Sequence, residues 1–304
     1  MKTFLLKDIV EEFLIYLKSV RSLSENSILG YKNDLKNLCE ILGDDAPLEN
    51  ISTEDLRLCI AKLSDLKRAK TSINRFIAAV RTFFAYSRRF GYIQKNPALE
   101  LKSLKIPKYM PKFLTRPEID SLCAEPEKNE LLWKTRDKAL FEMMYSSGCR
   151  VSEIVSLKIT DLDHENSSAI VTGKGKKDRR VYFEKDAKEA LEIYLEDRKE
   201  RFLKEGVKDD SPYVFVNQKG KTLTTEGVRF ILSKYSGEKG INHHINPHAI
   251  RHTFATSMLS SGADVRYIQE MLGHASISTT QRYTHITTES LIEIYKKAHP
   301  HGKD

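Results

Sequence analysis

The 304-residue sequence predicts a mainly α-helical protein of two modules, the second carrying one small β-hairpin. Three observations predict it. Apolar residues through the first hundred positions recur at steps of three and four, the spacing of one helix face. Pro97, Pro107, Pro111 and Pro117 then fall within 21 residues, interleaved with lysines. Proline fixes its own φ and pushes the residue before it toward extended geometry, so this stretch is a break rather than a helix. Beyond the break, two β-favouring runs flank a Gly- and Lys-rich turn, and helical spacing resumes after them.

Each element follows in order. Leu6, Val10, Phe13, Leu17 and Val20 give the first helix its apolar face. SENSILGYKNDLKNLCEIL supplies a second, with Ser24 placed to cap it. ISTEDLRLCIAKL supplies a third, started by Thr53. The fourth runs from about Lys70 to Phe90 and buries Ile73, Phe76, Ile77, Val80, Phe83 and Phe84. Its other positions carry Arg75, Arg81, Arg88 and Arg89, a face suited to a phosphate backbone. These helices form a module over 1–102. A basic, extended linker over 103–113 follows, and a second module occupies 114–304. The second module opens at Thr115-Arg-Pro-Glu118, a capping-box pattern. Ala169–Thr172 and Arg180–Phe183 form the hairpin. An acidic helix runs from Lys185 to about Lys204, then a short apolar strand or turn at Tyr213–Val216 and a helix from about Thr224. HAIRHTFATSMLSSG is helical and stops at Gly262. LIEIYKKAHPHG gives a closing helix over about 289–298.

Composition narrows the function classes. With 40% hydrophobic and 30% charged residues the chain is that of a soluble globular protein. No apolar run approaches the roughly 18 residues of a membrane span. Lys7 and Asp8 interrupt the first apolar stretch, unlike a signal peptide. Cys39, Cys59, Cys123 and Cys149 form no CxxC pair, so reduced thiols, a cytoplasmic address and no structural zinc are expected. The net charge of +8 is compatible with nucleic acid without proving it. Its distribution says more. Lys102 to Arg116 holds five cations and no acid, and Lys174, Lys176, Lys177, Arg179 and Arg180 are relieved only by Asp178. A basic strap between two modules is suited to clamping a duplex. The cations expected on DNA are Lys32, Lys36, Arg75 and Arg81 in the helices, Lys105, Lys108 and Lys112 in the strap, and Lys176 at the hairpin tip.

Four separated places hold polar residues that local structure does not require. In SSGCRVSEIVSL, Gly148 ends a helix, Arg150 occupies the turn, and Ser152 and Glu153 open the next helix. Lys174 lies at the hairpin tip. PHAIRH puts His248 and Arg251 on one helix face at i, i+3. His248 and His252 at i, i+4 lack the glutamate of HExxH, and the guanidinium between them repels a divalent cation, so no metal is expected. In LGHASISTTQRYTHI, His274 follows a glycine that ends a helix, and Tyr283 comes nine residues later. Read alone, each is as well explained by a surface turn or by packing. Together they form a cation set with no acidic partner, plus one phenol. Metal-free attack on a phosphodiester needs such a set, because fixed guanidinium donors can neutralise charge building on the non-bridging oxygens. A phenol of pKa about 10 needs a base nearby and cations to favour its phenolate.

On these four motifs, in this order, the sequence resembles the tyrosine recombinase (phage integrase) family, and within it the Xer-type recombinases. SSGCRVSE, TGKGKKDRR, HAIRHTFAT and LGHASISTTQRYTH carry the resemblance. SENSILGYKNDL, INRFIAAVRTFFAYSRRFGYIQKNPA and PKYMPKFLT extend it over nearly the whole chain. It implies a helical core-binding (SAM-like) domain, then a mostly α catalytic domain. Tyr283 is implied as the nucleophile forming a 3′-phosphotyrosyl link, with Arg150, Arg251 and His274 on the non-bridging oxygens. His248 is implied as the acceptor of the tyrosine proton, and Lys174 as the acid for the leaving 5′-oxygen, with Lys176 its rival. Ser147 and Cys149 depart from the commoner residues beside Gly148, and the chemistry requires neither. The resemblance further implies no metal or cofactor, a tetramer on double-stranded DNA passing through a Holliday junction, and a closing helix docked on a neighbouring protomer. A dif-like site, a homo-tetramer or a hetero-tetramer with a paralogue, and activation by a DNA translocase such as FtsK belong to the Xer reading. A phage or transposon integrase is the alternative. Opening directly on the core-binding helices favours Xer, and the intact catalytic set argues against a catalytically silent DNA-binding regulator.

Overall fold

The computed structural model describes residues 3–106, 114–173, 177–236, 245–273 and 298. The chain divides into two compact units, Met1–Tyr109 and Met110–Asp304, each with its own apolar core.

In the first unit, α1 (Leu6–Ser19), α2 (Glu25–Leu42), α3 (Thr53–Asp65) and α4 (Lys70–Arg89) pack around Leu6, Phe13, Leu38, Leu56, Phe76, Val80 and Phe83. The Ser24 hydroxyl accepts from the Ser27 amide at the start of α2. At the start of α3, Ser52 and Asp55 form a reciprocal capping box. Val20 was expected in the core but is 66% exposed. The cause is that α1 ends at Ser19, so the chain leaves the helix face before Val20 is reached. Asp34 of α2 is buried and takes two bonds from Arg75 of α4, at 2.9 and 3.0 Å. After α4 the chain returns along that helix. Arg81 donates to the Leu101 carbonyl, and the Asn74 amide exchanges bonds of 2.9 and 2.7 Å with the backbone of Leu104.

In the second unit, α5 (Arg116–Lys128) begins where the Thr115 amide and hydroxyl both donate to Glu118, each at 2.7 Å. The central helix is α6 (Lys134–Ser147), against which α5, α8 (Lys185–Glu205) and α10 (Pro247–Ser260) pack. Every residue of α6 from Ala139 to Ser147 is buried, as expected of a helix surrounded by others. The hairpin is β1 (Ser168–Thr172) and β2 (Asp178–Tyr182), antiparallel, with Ser168 opposite Tyr182 and Thr172 opposite Asp178. Tyr213–Val216 bends at Val214, and isolated bridges join Tyr213 to Lys158 and Val216 to Thr222. The remaining helices are α7 (Val151–Ser156), α9 (Thr225–Ser236) and α11 (Val265–Leu272). No helix among the described residues is long and apolar enough to cross a membrane. The expected closing helix over 289–298 lies outside the described residues, apart from position 298.

Candidate active site

The site is built where α6, α7, α10 and α11 end or begin beside the neck of the hairpin. Gly148 follows α6 with φ +59°, a left-handed turn that favours glycine. It also has no room for a side chain, because an added Cβ would lie 2.4 Å from Phe254 Cδ1 and 3.0 Å from Leu272 Cδ2. The turn is tied by Ser147, whose hydroxyl donates to the Met143 carbonyl and accepts from the Cys149 amide. Arg150 then caps α7. Its amide donates to Glu153 Oε2 at 2.7 Å, while its carbonyl accepts from the Glu153 amide at 2.9 Å. The segment RVSE therefore folds Glu153 back onto the backbone and guanidinium of Arg150. On α10, Asn246 caps the helix by accepting from the Ala249 amide, and Arg251 follows one turn later.

Three guanidinium groups meet one carboxylate. Arg150 donates to Glu153 Oε1 at 2.8 Å. Arg179, from β2, donates to Oε1 at 2.8 Å and to Oε2 at 2.9 Å. Arg251 lies 4.0 Å from Oε2. The same three groups each hold one of three consecutive carbonyls at the end of α11. Arg179 Nε donates to Met271 at 2.7 Å, Arg251 to Leu272 at 2.6 Å and Arg150 to Gly273 at 3.0 Å. Arg251 also donates to the Gly148 carbonyl at 2.7 Å. Carbonyls at a helix C-terminus lack partners within the helix and carry its negative end, so cations satisfy them doubly. Gly273 closes α11 with φ +62°, and an added Cβ there would lie 3.2 Å from Arg179 Cδ.

This arrangement corrects the expectation of a cation set without an acidic partner. Glu153 sits at its centre with 2% of its side chain exposed, against 10% for Arg251, 12% for Arg179 and 30% for Arg150. From the sequence alone, Glu153 reads as a residue opening a helix and Arg179 as one cation of a basic cluster. The sequence signal for the first contact is the i, i+3 spacing of Arg150 and Glu153. The signal for the second is the period-two alternation of Arg179 with Val181, which the structure buries on the same face of β2.

The electrostatics favour an anion. Among the described residues, three guanidinium groups against one carboxylate leave two positive charges unbalanced. Burial alone would raise the Glu153 carboxyl, but hydrogen bonds from Arg179 and from the Arg150 amide hold it below the usual carboxylate range. Burial, with the Arg150 charge adding to it, pushes Arg251 down to about 10. An entering phosphate would relieve that penalty. The Cys149 thiol, pushed up to about 11 by burial, stays protonated.

His248 stands exposed in the first turn of α10, at i, i+3 from Arg251. Lys174, His274 and Tyr283 lie outside the described residues, as do Lys108, Lys112 and Lys176. The residues preceding two of them are described and reach the cluster. A Cβ added to Gly173 would lie 3.5 Å from Glu153 Oε1 and 3.6 Å from an Arg179 nitrogen, and the Gly273 carbonyl is held by Arg150. In the first unit, Lys36 and Arg75 line one open groove of about 420 Å³ with Asn33, Asn37, Arg68 and Ser72. Lys36 pairs with Glu40 at 3.5 Å. Arg75 keeps 60% of its side chain exposed while bound to Asp34. Lys32 and Lys105 are exposed, and Arg81 is partly buried against Leu101.

Comparison with known proteins gives the family. Residues 112–290 match the phage integrase family, and residues 10–91 match the phage integrase N-terminal SAM-like domain. The chain is 42% identical to tyrosine recombinase XerC of Treponema denticola, over 98% of this chain and all of that protein. It is 37% identical to tyrosine recombinase XerD of Oceanobacillus iheyensis, over 96% and 98%. The fold is shared with the Tn1549 transposon integrase in complex with circular intermediate DNA (TM-score 0.74, 19% identity, 96% of this chain and 99% of that one). It is shared too with a lambda integrase dimer bound to a core site (TM-score 0.70, 18% identity, 93% and 100%). The chain therefore belongs to the phage integrase family and, within it, to the Xer-type tyrosine recombinases, enzymes of site-specific recombination.

Proposed function

We propose that the arginine cluster holds a scissile phosphate of double-stranded DNA while Tyr283 attacks it. The observation that carries this reading is the surplus of two positive charges at Arg150, Arg179, Arg251 and Glu153. A phosphodiester carries one negative charge, and its five-coordinate transition state gains another on the non-bridging oxygens. Fixed cations of matching surplus therefore favour the transition state over the ground state. Arg150 and Arg251, with His274, hold those oxygens. The phenol proton of Tyr283 passes to His248. The new P–O bond makes a 3′-phosphotyrosyl link, and the leaving 5′-oxygen takes a proton from Lys174, Lys176 being its rival. No metal or cofactor enters these steps.

The core-binding module over 1–102 grips the backbone through Lys32, Lys36, Arg75 and Arg81, the linker over 103–113 through Lys105, Lys108 and Lys112, and the hairpin tip through Lys176. The catalytic unit spans 114–304. The enzyme works in the cytoplasm as a tetramer on paired dif-like sites, of one chain or with a paralogue, through a Holliday junction. There it resolves chromosome or plasmid dimers. The closing helix over 289–298 docks on a neighbouring protomer, and a translocase such as FtsK activates exchange. The test is a supercoiled plasmid carrying two copies of the dif-like site from the genome that encodes the chain. Resolution into two circles, abolished by Arg150→Ala or Arg251→Ala with DNA binding retained, is expected. Resolution only at the ends of a mobile element would replace this reading with that of an integrase.

A further inference from the structure

We propose that Arg179 is a positioning residue for cleavage, registering the hairpin neck against the end of α11 so that Arg150 and Arg251 are held ready for the phosphate. The inference rests on the function proposed above. Arg179 is largely buried and uses all three of its nitrogens. Nε binds the Met271 carbonyl, and the two terminal nitrogens span both oxygens of Glu153. The next two carbonyls of the same turn are held by Arg251 and Arg150. Fixing Met271 therefore fixes the frame on which both other guanidinium groups rest.

A second effect is electrostatic. With both Glu153 oxygens engaged by Arg179, the carboxylate is not left to Arg150 and Arg251 alone. Without Arg179 it would draw those two inward and neutralise charge meant for an anion. Lysine cannot replace this arrangement, because one ammonium nitrogen cannot span a carboxylate and also reach a carbonyl on a third side.

The test uses full-length Arg179→Lys, Arg179→Gln, Glu153→Gln and the Glu153→Gln/Arg179→Gln double variant. Single-turnover formation of covalent adduct is measured at saturating DNA, with thermal melting and DNA affinity measured alongside. Arg179→Lys is expected to bind DNA within about twofold of the unsubstituted chain. Its cleavage should fall by about 10- to 100-fold, since misplacement of about 1 Å can cost about 100-fold. The double variant should lose less than the product of the two single losses, because the Arg179–Glu153 contact is common to both. Full-rate cleavage by folded Arg179→Lys, or losses that multiply in the double variant, would overturn the positioning role and leave the proposed function standing. Failure of the unsubstituted chain to form any adduct would overturn the function and this inference with it.

Discussion

Replacing Gly148 by alanine places a methyl group 2.4 Å from Phe254 Cδ1, 2.8 Å from Phe254 Cε1 and 3.0 Å from Leu272 Cδ2. Two costs arise. A residue with a Cβ in the left-handed region loses about 1–2 kcal/mol, and forcing a methyl into a filled core costs about 1–3 kcal/mol more. At roughly 2–4 °C per kcal/mol for a unit of this size, the melting temperature should fall by about 4–20 °C. Gly206 is the control. It ends α8 with φ +64°, and an added Cβ there meets nothing within 4 Å. Gly206→Ala should therefore show the backbone cost alone, about 1–2 kcal/mol. Differential scanning calorimetry of both variants separates the terms. Equal melting temperatures would refute the claim that Phe254 and Leu272 close over Gly148. The same substitution should slow cleavage in the folded protein, because the Gly148 carbonyl holds Arg251.

Three other outcomes are expected. Glu153 is held below the usual carboxylate range, so its stabilising effect is present above pH about 4.3 and is lost as pH falls through its lower folded value. The stability difference between the unsubstituted chain and Glu153→Gln should be level near neutrality and shrink in acid; a difference that is constant down to pH 3 would contradict this. Arg75→Ala leaves the buried Asp34 carboxylate without that partner and should cost about 1–3 kcal/mol, discounted for the exposure of the arginine. Asp34→Asn in that background should recover part of the loss, and no recovery by urea denaturation would argue against the pairing. DNA binding should weaken steeply with salt, and Lys36→Ala should lower the log–log slope by about 0.9 for one lost phosphate contact. An unchanged slope would remove Lys36 from the interface.

Much of the architecture was legible before the structure. The apolar spacing of α1 to α4 marks an exposed face and a buried one, and that amphipathic contrast is what a local reading detects. The central helix α6 gives no such contrast, since nearly all of it is buried and only its end at Gly148 was marked. Arg150, His248 and Arg251 were legible because each sits at a helix start or on a helix face beside a recognisable turn. The partnership of Glu153 was not, because its second cation, Arg179, lies 26 positions away on a strand. Nor does spacing announce that the Met271, Leu272 and Gly273 carbonyls each receive one arginine. Those contacts form only when α11 folds back on the hairpin and the α6–α7 turn. Val20 failed for the opposite reason, since its periodicity continued past the point where the helix stops.

The central claim is that Tyr283 attacks a phosphate held by the arginine cluster. A nicked duplex carrying the dif-like site, incubated with the full chain in EDTA and then denatured in SDS, tests it most directly. A covalent protein–DNA adduct whose phosphorylated peptide contains Tyr283, absent from Tyr283→Phe although that variant still binds the DNA, is the predicted result. An adduct formed equally by Tyr283→Phe, or one that appears only when a divalent metal is restored, would contradict it.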